Sequence, residues 1–275
     1  MKIRILVAAV FVPLLFVVMF FLPPYALAIV VAAVCAVCAY ELLRAIGAKD
    51  NVRVIIYTVV AAAAIPAGTY FQMAEAVFST VLLVLLCLVF VEAIIVFKTE
   101  KQITFAQIMT AVFAGVLIPY MLSGLIILKN MEDGRLFVLL PVVSAFITDG
   151  GAYFCGVFLG RHKVFPRISP SKTAEGYIGG LIIGAAAIVG YGAIIGSVTP
   201  YGVNLPALAV YGVAGAVVTE LGDLAFSLVK REFDVKDYGR LLPGHGGLLD
   251  RFDSMVFTAP AMYLMVSVIP AIIIR

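Results

Sequence analysis

Two aspartates spaced three positions apart are the clearest candidates for chemistry in this sequence. Asp250 and Asp253 flank Arg251 at the start of an apolar run, so on a helix their oxygens face the same side. Hard cations such as Mg²⁺ are bound in proteins by one or two carboxylates together with substrate phosphates. The spacing therefore indicates a metal site at the beginning of this helix.

A stripe of polar residues runs along the predicted span 207–229. Its members are Glu220, Asp223, Ser227, Lys230 and Arg231. Steps of three and four residues place all of them on one helix face. An ionisable side chain at the bilayer centre costs about 2.5–3.5 kcal/mol, so this face meets a cavity or another helix rather than lipid. A structural hydrogen-bond seam is the alternative, but the stripe leads directly into a charged loop, which favours a functional role.

The loop 230–253 combines a glycine-rich turn with clustered charges. The turn 243–247 reads PGHGG, and its bare amides can approach a phosphate closely. His245 alone is more typical of an exposed histidine than of a catalytic one. The basic members of the loop are Lys230, Arg231, Lys236 and Arg240, and with the two aspartates they suit a metal-bound polyphosphate.

A second polar loop, 160–176, precedes the predicted span 177–198. It offers the donors Ser169, Ser171, Lys172 and Thr173. A helix start with a lysine beside it is a natural site for an anion. For Ser169 and Thr173, plain helix capping is an equally good explanation. The chain has no GxxxxGK[ST] motif, so nothing indicates a P-loop nucleotidase.

These loops belong to a chain that is too apolar for a water-soluble fold. Of its 275 residues, 64% are hydrophobic and 13% are charged, whereas soluble domains average about 45–50% and about 25%. The mean hydropathy is +1.15. The net charge of +3 shows no signature of nucleic-acid binding. We therefore expect an integral membrane protein with no nucleic-acid partner.

We predict an all-α, polytopic membrane protein with about nine membrane-spanning helices. A span needs about 20 apolar residues, and nine runs meet this criterion: 4–22, 25–43, 53–71, 76–97, 107–128, 136–159, 177–198, 207–229 and 254–274. With a cytoplasmic N-terminus and an external C-terminus, all but Lys129, Arg135 and Arg275 of the 19 lysines and arginines are cytoplasmic. This distribution follows the positive-inside rule.

Polar residues are distributed unevenly along the chain. Residues 1–135 read as a scaffold of membrane helices, and residues 136–275 as a catalytic region that carries the two loops, all within one integral domain. Among the acids of the scaffold, Glu41 reads as an interfacial residue, and Glu92 is as consistent with packing as with function. Gly176, Gly180 and Gly184 lie four apart, which predicts close helix packing.

The segment 227–253, SLVKREFDVKDYGRLLPGHGGLLDRFD, resembles the signature of the CDP-diacylglycerol synthases, or phosphatidate cytidylyltransferases. Its pattern is S-x-x-K-R-x₄-K-D-x-G-x₃-P-x-H-G-G-x-x-D-R-x-D, and every specified position is present. The segments 149–161 and 168–176 are similar to the same family. The close resemblance thus covers residues 149–253.

This resemblance implies that CTP and phosphatidic acid condense to CDP-diacylglycerol and pyrophosphate with Mg²⁺, and it leaves a second metal ion open. It also implies a homodimer in the lipid bilayer of the cytoplasmic (inner) membrane, with its active site facing the cytoplasm. The implied metal ligands are Asp223 and Asp250, completed or supported by Asp253 and Asp149. We predict Asp223, Asp250, Lys230 and Arg231 as the catalytic residues. The predicted substrate- and phosphate-binding residues are Ser169, Ser171, Lys172, Thr173, Lys236, His245, Gly246, Gly247 and Arg251.

Two other functions stay open on the sequence. One is a related CTP-dependent enzyme that acts on another lipid, for example a polyprenol kinase. The other is an ion-coupled secondary transporter, which predicts repeat symmetry and interrupted spans. The sequence shows neither of these two features, so nucleotidyl transfer is the favoured function.

Overall fold

The computed structural model of this chain describes residues 13–241, 244 and 246–274, and most of them are helical. The helices are α1 (13–20), α2 (Pro24–Ala45), α3 (Val52–Tyr70), α4 (Ala74–Ile95), α5 (Phe105–Val112), α6 (Ile118–Leu122), α7 (Gly124–Asn130), α8 (Gly134–Phe137), α9 (Leu139–Leu159), α10 (Ala174–Val198), α11 (Leu205–Glu232) and α12 (Leu249–Val268). A π-helical turn, Phe113–Leu117, joins α5 to α6. The strands β1 (Tyr201–Val203) and β2 (Ile272–Ile274) form one antiparallel pair.

Seven helical segments among the described residues are long and apolar enough to cross a membrane. They are Pro24–Ala45, Val52–Tyr70, Ala74–Ile95, Phe105–Asn130, Gly134–Leu159, Ala174–Val198 and Leu205–Glu232. Each contains most of one predicted span, so the expectation of an all-α polytopic membrane protein is confirmed. Residues 4–12 of the first predicted span, 4–22, lie outside the described residues, and residues 13–20 of it form α1. The total of nine and the orientation of the termini stay predictions.

The ninth predicted span, 254–274, was wrong at both ends. Helix α12 begins at Leu249 and stops at Val268. Pro270 follows, and since proline disfavours helical backbone at the residue before it, the helix cannot continue. Beyond the proline, Ile272 pairs with Val203 in the small sheet. The earlier start places both Asp250 and Asp253 inside the first turns of α12.

The chain divides into two compact units. The first comprises the residues up to Arg135 together with 232–252, and the second comprises 136–231 together with the residues from Asp253 onward. Within the first unit, α2 packs along α3, and α3 packs along α4. Glu92 on α4 accepts hydrogen bonds from Arg53 (3.3 Å) and Tyr57 (3.2 Å) on α3. These bonds favour the packing role over a functional one for Glu92.

Within the second unit, α9 and α10 approach each other along a line of glycines. A Cβ atom at Gly184 would overlap Thr148 on α9, and one at Gly180 would lie 2.9 Å from the Cβ of Ala152. Two helices can pack this closely only where one of them lacks side chains. The prediction of a glycine packing stripe is therefore confirmed, and the close packing sets the spacing between Asp149 on α9 and the start of α10.

Candidate active site

An ion pair between Lys172 and Asp223 lies at the centre of the polar cluster in the second unit. Asp223 comes from the polar face of α11, and Lys172 from the loop that enters α10. Both side chains are partly shielded from water, with 20% and 29% of their surface exposed. Ser227, one turn further along α11, also donates to Asp223 at 3.4 Å. The carboxylate is thus held by its own helix and by the neighbouring loop.

The entry of the chain into α10 fixes the position of Lys172. Thr173 is the N-cap of α10, and its hydroxyl accepts a hydrogen bond from the backbone of Gly176 at 3.1 Å. A cap of this type stabilises the first turn of a helix. Burial has the largest single effect and lowers the pKa of Lys172, but the charge and the hydrogen bond of Asp223, together with the charges of Tyr177 and Asp149, raise the pKa overall. Lys172 is therefore a fixed positive charge over the physiological pH range.

Two more carboxylates, on α9 and α12, belong to the same cluster. Asp149 accepts a hydrogen bond at 3.0 Å from the hydroxyl of Ser254, which follows Asp253 on α12. Asp253 is buried, and the charges of Asp149, Asp223 and Lys230 act on it. Elements far apart in the sequence thus bring together three of the four aspartates that the family resemblance implied.

Glu220, on the polar stripe of α11, also belongs to this cluster, although it is not among the predicted site residues. Among the described residues its Oε1 atom is buried without a hydrogen-bond partner. A Cβ at Gly180 would lie 2.6 Å from this atom, so the glycine leaves room for the carboxylate. The charges of Lys172, Asp149 and Asp223 act on Glu220. Its position one turn before Asp223 was the signal that pointed to the site.

The carboxylate oxygens of this cluster are chemically suited to bind a hard divalent cation. Asp149, Glu220, Asp223 and Asp253 supply oxygen atoms only, and one of these oxygens is a buried acceptor with no hydrogen-bond partner in the part of the chain that the structure describes. Such oxygens are the ligands that Mg²⁺ prefers. Within the described part of the chain, no three acidic, histidine or cysteine side chains already converge in a geometry that would hold an ion. The ammonium of Lys172 compensates the charge of Asp223 instead.

The two basic residues at the end of α11 have different surroundings. Lys230 is buried and interacts electrostatically with Asp253. Arg231 is exposed, and its Nε donates to the backbone carbonyl of Ile168 at 3.0 Å, which ties α11 to the loop 160–176. Arg231 therefore has a structural bond in addition to its predicted role with phosphate.

The predicted donors Ser169 and Ser171 shape the loop through their backbone atoms. The carbonyl of Ser169 accepts from the backbone N–H of Lys172 at 3.2 Å, and that of Ser171 accepts from Lys163 at 3.4 Å. These bonds form the turn that leads to Lys172. A direct role of the two hydroxyls with phosphate stays a prediction.

In the first unit, Asp250 organises the loop 232–252. Its Oδ2 atom accepts two backbone hydrogen bonds, from Tyr238 and from Gly247, both at 2.9 Å. Gly246 has a φ of +83°, and a Cβ there would lie 2.9 Å from the same oxygen. Only glycine suits this position because its conformation and the close carboxylate both exclude a side chain. Asp250 thus shapes the turn, and its role as a metal ligand stays a prediction.

Glu41 lies buried in the first unit, although its place at a helix end predicts an interfacial residue. It is 5% exposed, and its carboxylate accepts a hydrogen bond from the backbone N–H of Leu249 at 2.9 Å. The backbone N–H of Leu248 donates to it as well. Glu41 and Leu249 are 208 positions apart, so no local pattern links them. The available signal was a single acid at the end of an apolar run.

The remaining predicted residues are distributed over the same loop. Lys236 is exposed, Gly247 packs against the carboxylate of Glu41, and Arg251 is exposed on the first turn of α12. His245 lies outside the described residues, so its predicted contact with phosphate stays a prediction.

Comparison with known proteins identifies the family of this chain. The model of the cytidylyltransferase family matches residues 2–269, which is nearly the whole chain. The chain belongs to the cytidylyltransferase family. The resemblance inferred from the motifs is therefore confirmed, and the matched region includes both polar loops and the acids of α9, α11 and α12.

Similar members of this family carry one name. A phosphatidate cytidylyltransferase of Bacillus subtilis is 37% identical over 188 residues, or 68% of this chain and 65% of the relative. Proteins of the same name from Staphylococcus haemolyticus and Mycobacterium tuberculosis are 40% and 36% identical over 49% and 60% of the chain. The matches cover 50% and 49% of those two relatives, so the chain spans about half to two thirds of the curated relatives it matches.

Replacing Glu41 with alanine should loosen the loop 232–252 in this member of the family. A hydrogen bond to a charged group contributes about 1.5–3 kcal/mol, so losing the carboxylate should increase the open population of the loop by at least about tenfold. Trypsin should then cleave after Lys236 and Arg240 about tenfold faster, which mass spectrometry of timed digests would detect. Glu100→Ala removes an exposed acid elsewhere in the first unit and serves as the control. Unchanged cleavage in Glu41→Ala would show that the carboxylate does not hold the loop.

Proposed function

We propose that this protein is a phosphatidate cytidylyltransferase that condenses CTP with phosphatidic acid to CDP-diacylglycerol and pyrophosphate. The observation that carries the proposal is the cluster in the second unit, where Asp149, Asp223 and Asp253 meet Lys172 and Lys230. The names of the similar proteins and the family match support the same reaction. A reaction between two phosphate groups requires both kinds of side chain: carboxylates that can hold a metal ion, and lysines that neutralise phosphate oxygens.

The reaction needs charge neutralisation more than it needs a strong base. A phosphate oxygen of phosphatidic acid attacks the α-phosphorus of CTP, and the bond from that phosphorus to the β-phosphate bridge breaks, which releases pyrophosphate. The attacking group is already an oxyanion near neutral pH, so no residue has to remove a proton from it. Lys172 and Lys230 are the cations that would hold the negative oxygens during the transfer.

In this proposal Asp149, Asp223 and Asp253 would hold Mg²⁺, with the buried Oε1 atom of Glu220 close by. Asp250 stays a further predicted ligand from its place in the signature. When bound, the metal neutralises phosphate oxygens and orients them for displacement. The protein residues keep the carboxylates in register by helix packing and by the bond from Ser254 to Asp149.

Removing divalent metal should abolish the activity. With EDTA in excess, CDP-diacylglycerol formation should fall to the background rate, because four clustered acids cannot bind a nucleoside triphosphate without a neutralising cation. Added Mg²⁺ in excess over the chelator should restore the rate. Turnover that persists with EDTA would contradict the metal assignment and favour a mechanism that depends on the lysines alone.

A product assay with radiolabelled CTP would test the function itself. The purified full chain in detergent should convert phosphatidic acid and α-labelled CTP to labelled CDP-diacylglycerol. Transfer of the γ-phosphate to a polyprenol, with no CDP-lipid, would instead identify the kinase alternative. Absence of both products, together with ion uptake in proteoliposomes, would identify the transporter alternative.

The location proposed for the enzyme is the cytoplasmic membrane, with the site on the cytoplasmic side. The concentration of lysine and arginine in the loops 160–176 and 230–253 supports this orientation. A water-soluble nucleotide and a lipid must meet at such an interface. We also propose the homodimer that the resemblance implies, which native mass spectrometry of the detergent-solubilised protein would test.

A further inference from the structure

Two adjoining cavities of the first unit share the residues Tyr40 and Arg44 at the end of α2. The larger has a volume of about 840 Å³ and lies against residues 235–241 of the loop 232–252. The smaller has a volume of about 500 Å³ and follows the face of α3. Both volumes lie within the range of about 300–1,000 Å³ that is typical of ligand sites. Because both are bordered by Tyr40 and Arg44, we call the two cavities together the groove.

The larger cavity of the groove is basic. Arg44, Lys236 and Arg240 line it, and all three are exposed. Among the described residues, none of them lies within ion-pairing distance of a carboxylate. Of the two acids in the lining, Glu41 is engaged by backbone N–H groups and Asp237 is exposed. The cavity thus presents three positive groups whose charges are not neutralised by ion pairs.

Arg44 is held in place at the junction of the two cavities. Its guanidinium donates to the hydroxyl of Tyr40 at 2.8 Å and lies 5.5 Å from the centre of the tyrosine ring. The planar guanidinium matches the geometry of a phosphate, which it can bind through two parallel hydrogen bonds. Because the tyrosine orients the group in advance, less side-chain entropy is lost when an anion binds.

The smaller cavity of the groove is apolar beyond Tyr40 and Arg44. Val52, Ile56 and Val60 lie four residues apart on α3, so they form one strip along the helix. They are 59%, 53% and 63% exposed, on a helix with the length and composition of a membrane span. A basic cavity that continues into an exposed apolar strip complements a molecule with an anionic head and a hydrocarbon tail.

We propose that the groove binds an anionic phospholipid, with its phosphate between Arg44, Lys236 and Arg240 and an acyl chain along Val52–Val60. The proposal rests on the proposed function in one respect: the lipid is taken to be phosphatidic acid, and the groove is a binding site for this lipid formed by residues other than those of the Lys172 and Lys230 cluster. The terminal phosphate of phosphatidic acid carries more negative charge than a phosphodiester, which suits three cations. The loop that contributes Lys236 and Arg240 also contains Asp250, so lipid binding and the catalytic signature share one segment.

Direct binding of a fluorescent phosphatidic acid to the purified full chain in detergent would test the proposal. Loss of a charged hydrogen bond typically weakens binding by about tenfold or more. We expect Arg44→Ala and Arg240→Ala each to raise the dissociation constant about tenfold, and Arg44→Lys to raise it less. Lys101→Ala removes an exposed lysine of the same unit outside the groove and should leave the constant unchanged. Constants in Arg44→Ala and Arg240→Ala equal to that of Lys101→Ala would overturn the proposal.

A second variant separates a lipid site from a site for free phosphate. Ile56→Trp places a bulky side chain on the apolar strip and leaves Arg44, Lys236 and Arg240 unsubstituted, so it should weaken binding of the long-chain lipid at least severalfold. Inorganic phosphate should compete weakly, and its competition should be the same in this variant. If Ile56→Trp binds the lipid normally while inorganic phosphate displaces it fully, the groove is a phosphate site and the lipid assignment is wrong.

The same variants distinguish this proposal from the proposed function. Suppose that the wild-type chain binds phosphatidic acid but makes no CDP-lipid, and that Arg44→Ala no longer binds the lipid. The lipid site is then supported, and the proposed function is wrong. If turnover is normal and Arg44→Ala/Arg240→Ala binds lipid as the wild type does, the function stands and the groove does not bind the substrate. Size-exclusion profiles and melting temperatures would confirm that the variants are folded, as expected for exposed positions.

Discussion

Asp223→Asn should reduce CDP-diacylglycerol formation by about a thousandfold while the protein stays folded. The amide has nearly the same shape as the carboxylate, but it is a poor ligand for a hard cation and it cannot neutralise Lys172. Charge stabilisation by a bound metal contributes several kcal/mol to the transition state, and each 1.36 kcal/mol is a factor of ten in rate. The rate of labelled CDP-lipid formation at saturating CTP and phosphatidic acid would measure the effect.

Asp234→Asn is the matched control for this substitution. Asp234 is an exposed carboxylate on the loop 232–252 with a φ of 52°, a conformation that asparagine adopts as readily as aspartate. This variant should keep the wild-type rate. Wild-type turnover in Asp223→Asn at ordinary Mg²⁺ concentrations would exclude Asp223 from the proposed metal site and leave it as the structural partner of Lys172.

Lys172→Ala should lower kcat/KM by about ten- to a hundredfold. A hydrogen bond from a charged group contributes about 1.5–3 kcal/mol, and Lys172 supplies the positive charge nearest to Asp223. Kinetics would identify its partner in the reaction. A rise confined to the KM for CTP would indicate a nucleotide contact, whereas a rise confined to the KM for phosphatidic acid would indicate the lipid headgroup.

Arg167→Ala provides the control for charge and topology. Arg167 is exposed in the same loop. Arg167→Ala therefore removes as much positive charge from the loop as Lys172→Ala does, but it leaves the residues of the cluster unchanged. If the loop charges serve only to orient the protein in the membrane, both variants should behave alike. Normal kinetics in Lys172→Ala, with insertion intact, would return Lys172 to this topological role.

The double variant Lys172→Ala/Asp223→Asn tests whether the two residues act as a pair. Because they contact each other, their effects on stability should not add, and the double variant should be less destabilised than the two single variants predict together. Thermal unfolding of the four proteins in detergent would measure the coupling. Strict additivity would show that the ion pair contributes nothing to the folded state.

Local patterns in the sequence were sufficient for the helices and for part of the site. The seven described spans follow from runs of about 20 apolar residues. Because the lipid interior offers no water, the backbone there must form its hydrogen bonds within a helix. The glycine stripe of α10, the cap at Thr173 and the polar face that carries Asp223 also follow from spacing within one helix. Each of these features depends on residues a few positions apart, which is why the sequence alone specified them.

Only the tertiary structure decided which distant residues meet. The hydrogen bond between Ser254 and Asp149 joins residues 105 positions apart, and that between Leu249 and Glu41 joins residues 208 positions apart. No local sequence pattern predicts either bond. The same holds for the loop 232–252, which belongs to the first unit although its neighbours along the chain belong to the second. Such contacts depend on how helices pack and on which buried amides need an acceptor, and these requirements are set by the whole fold.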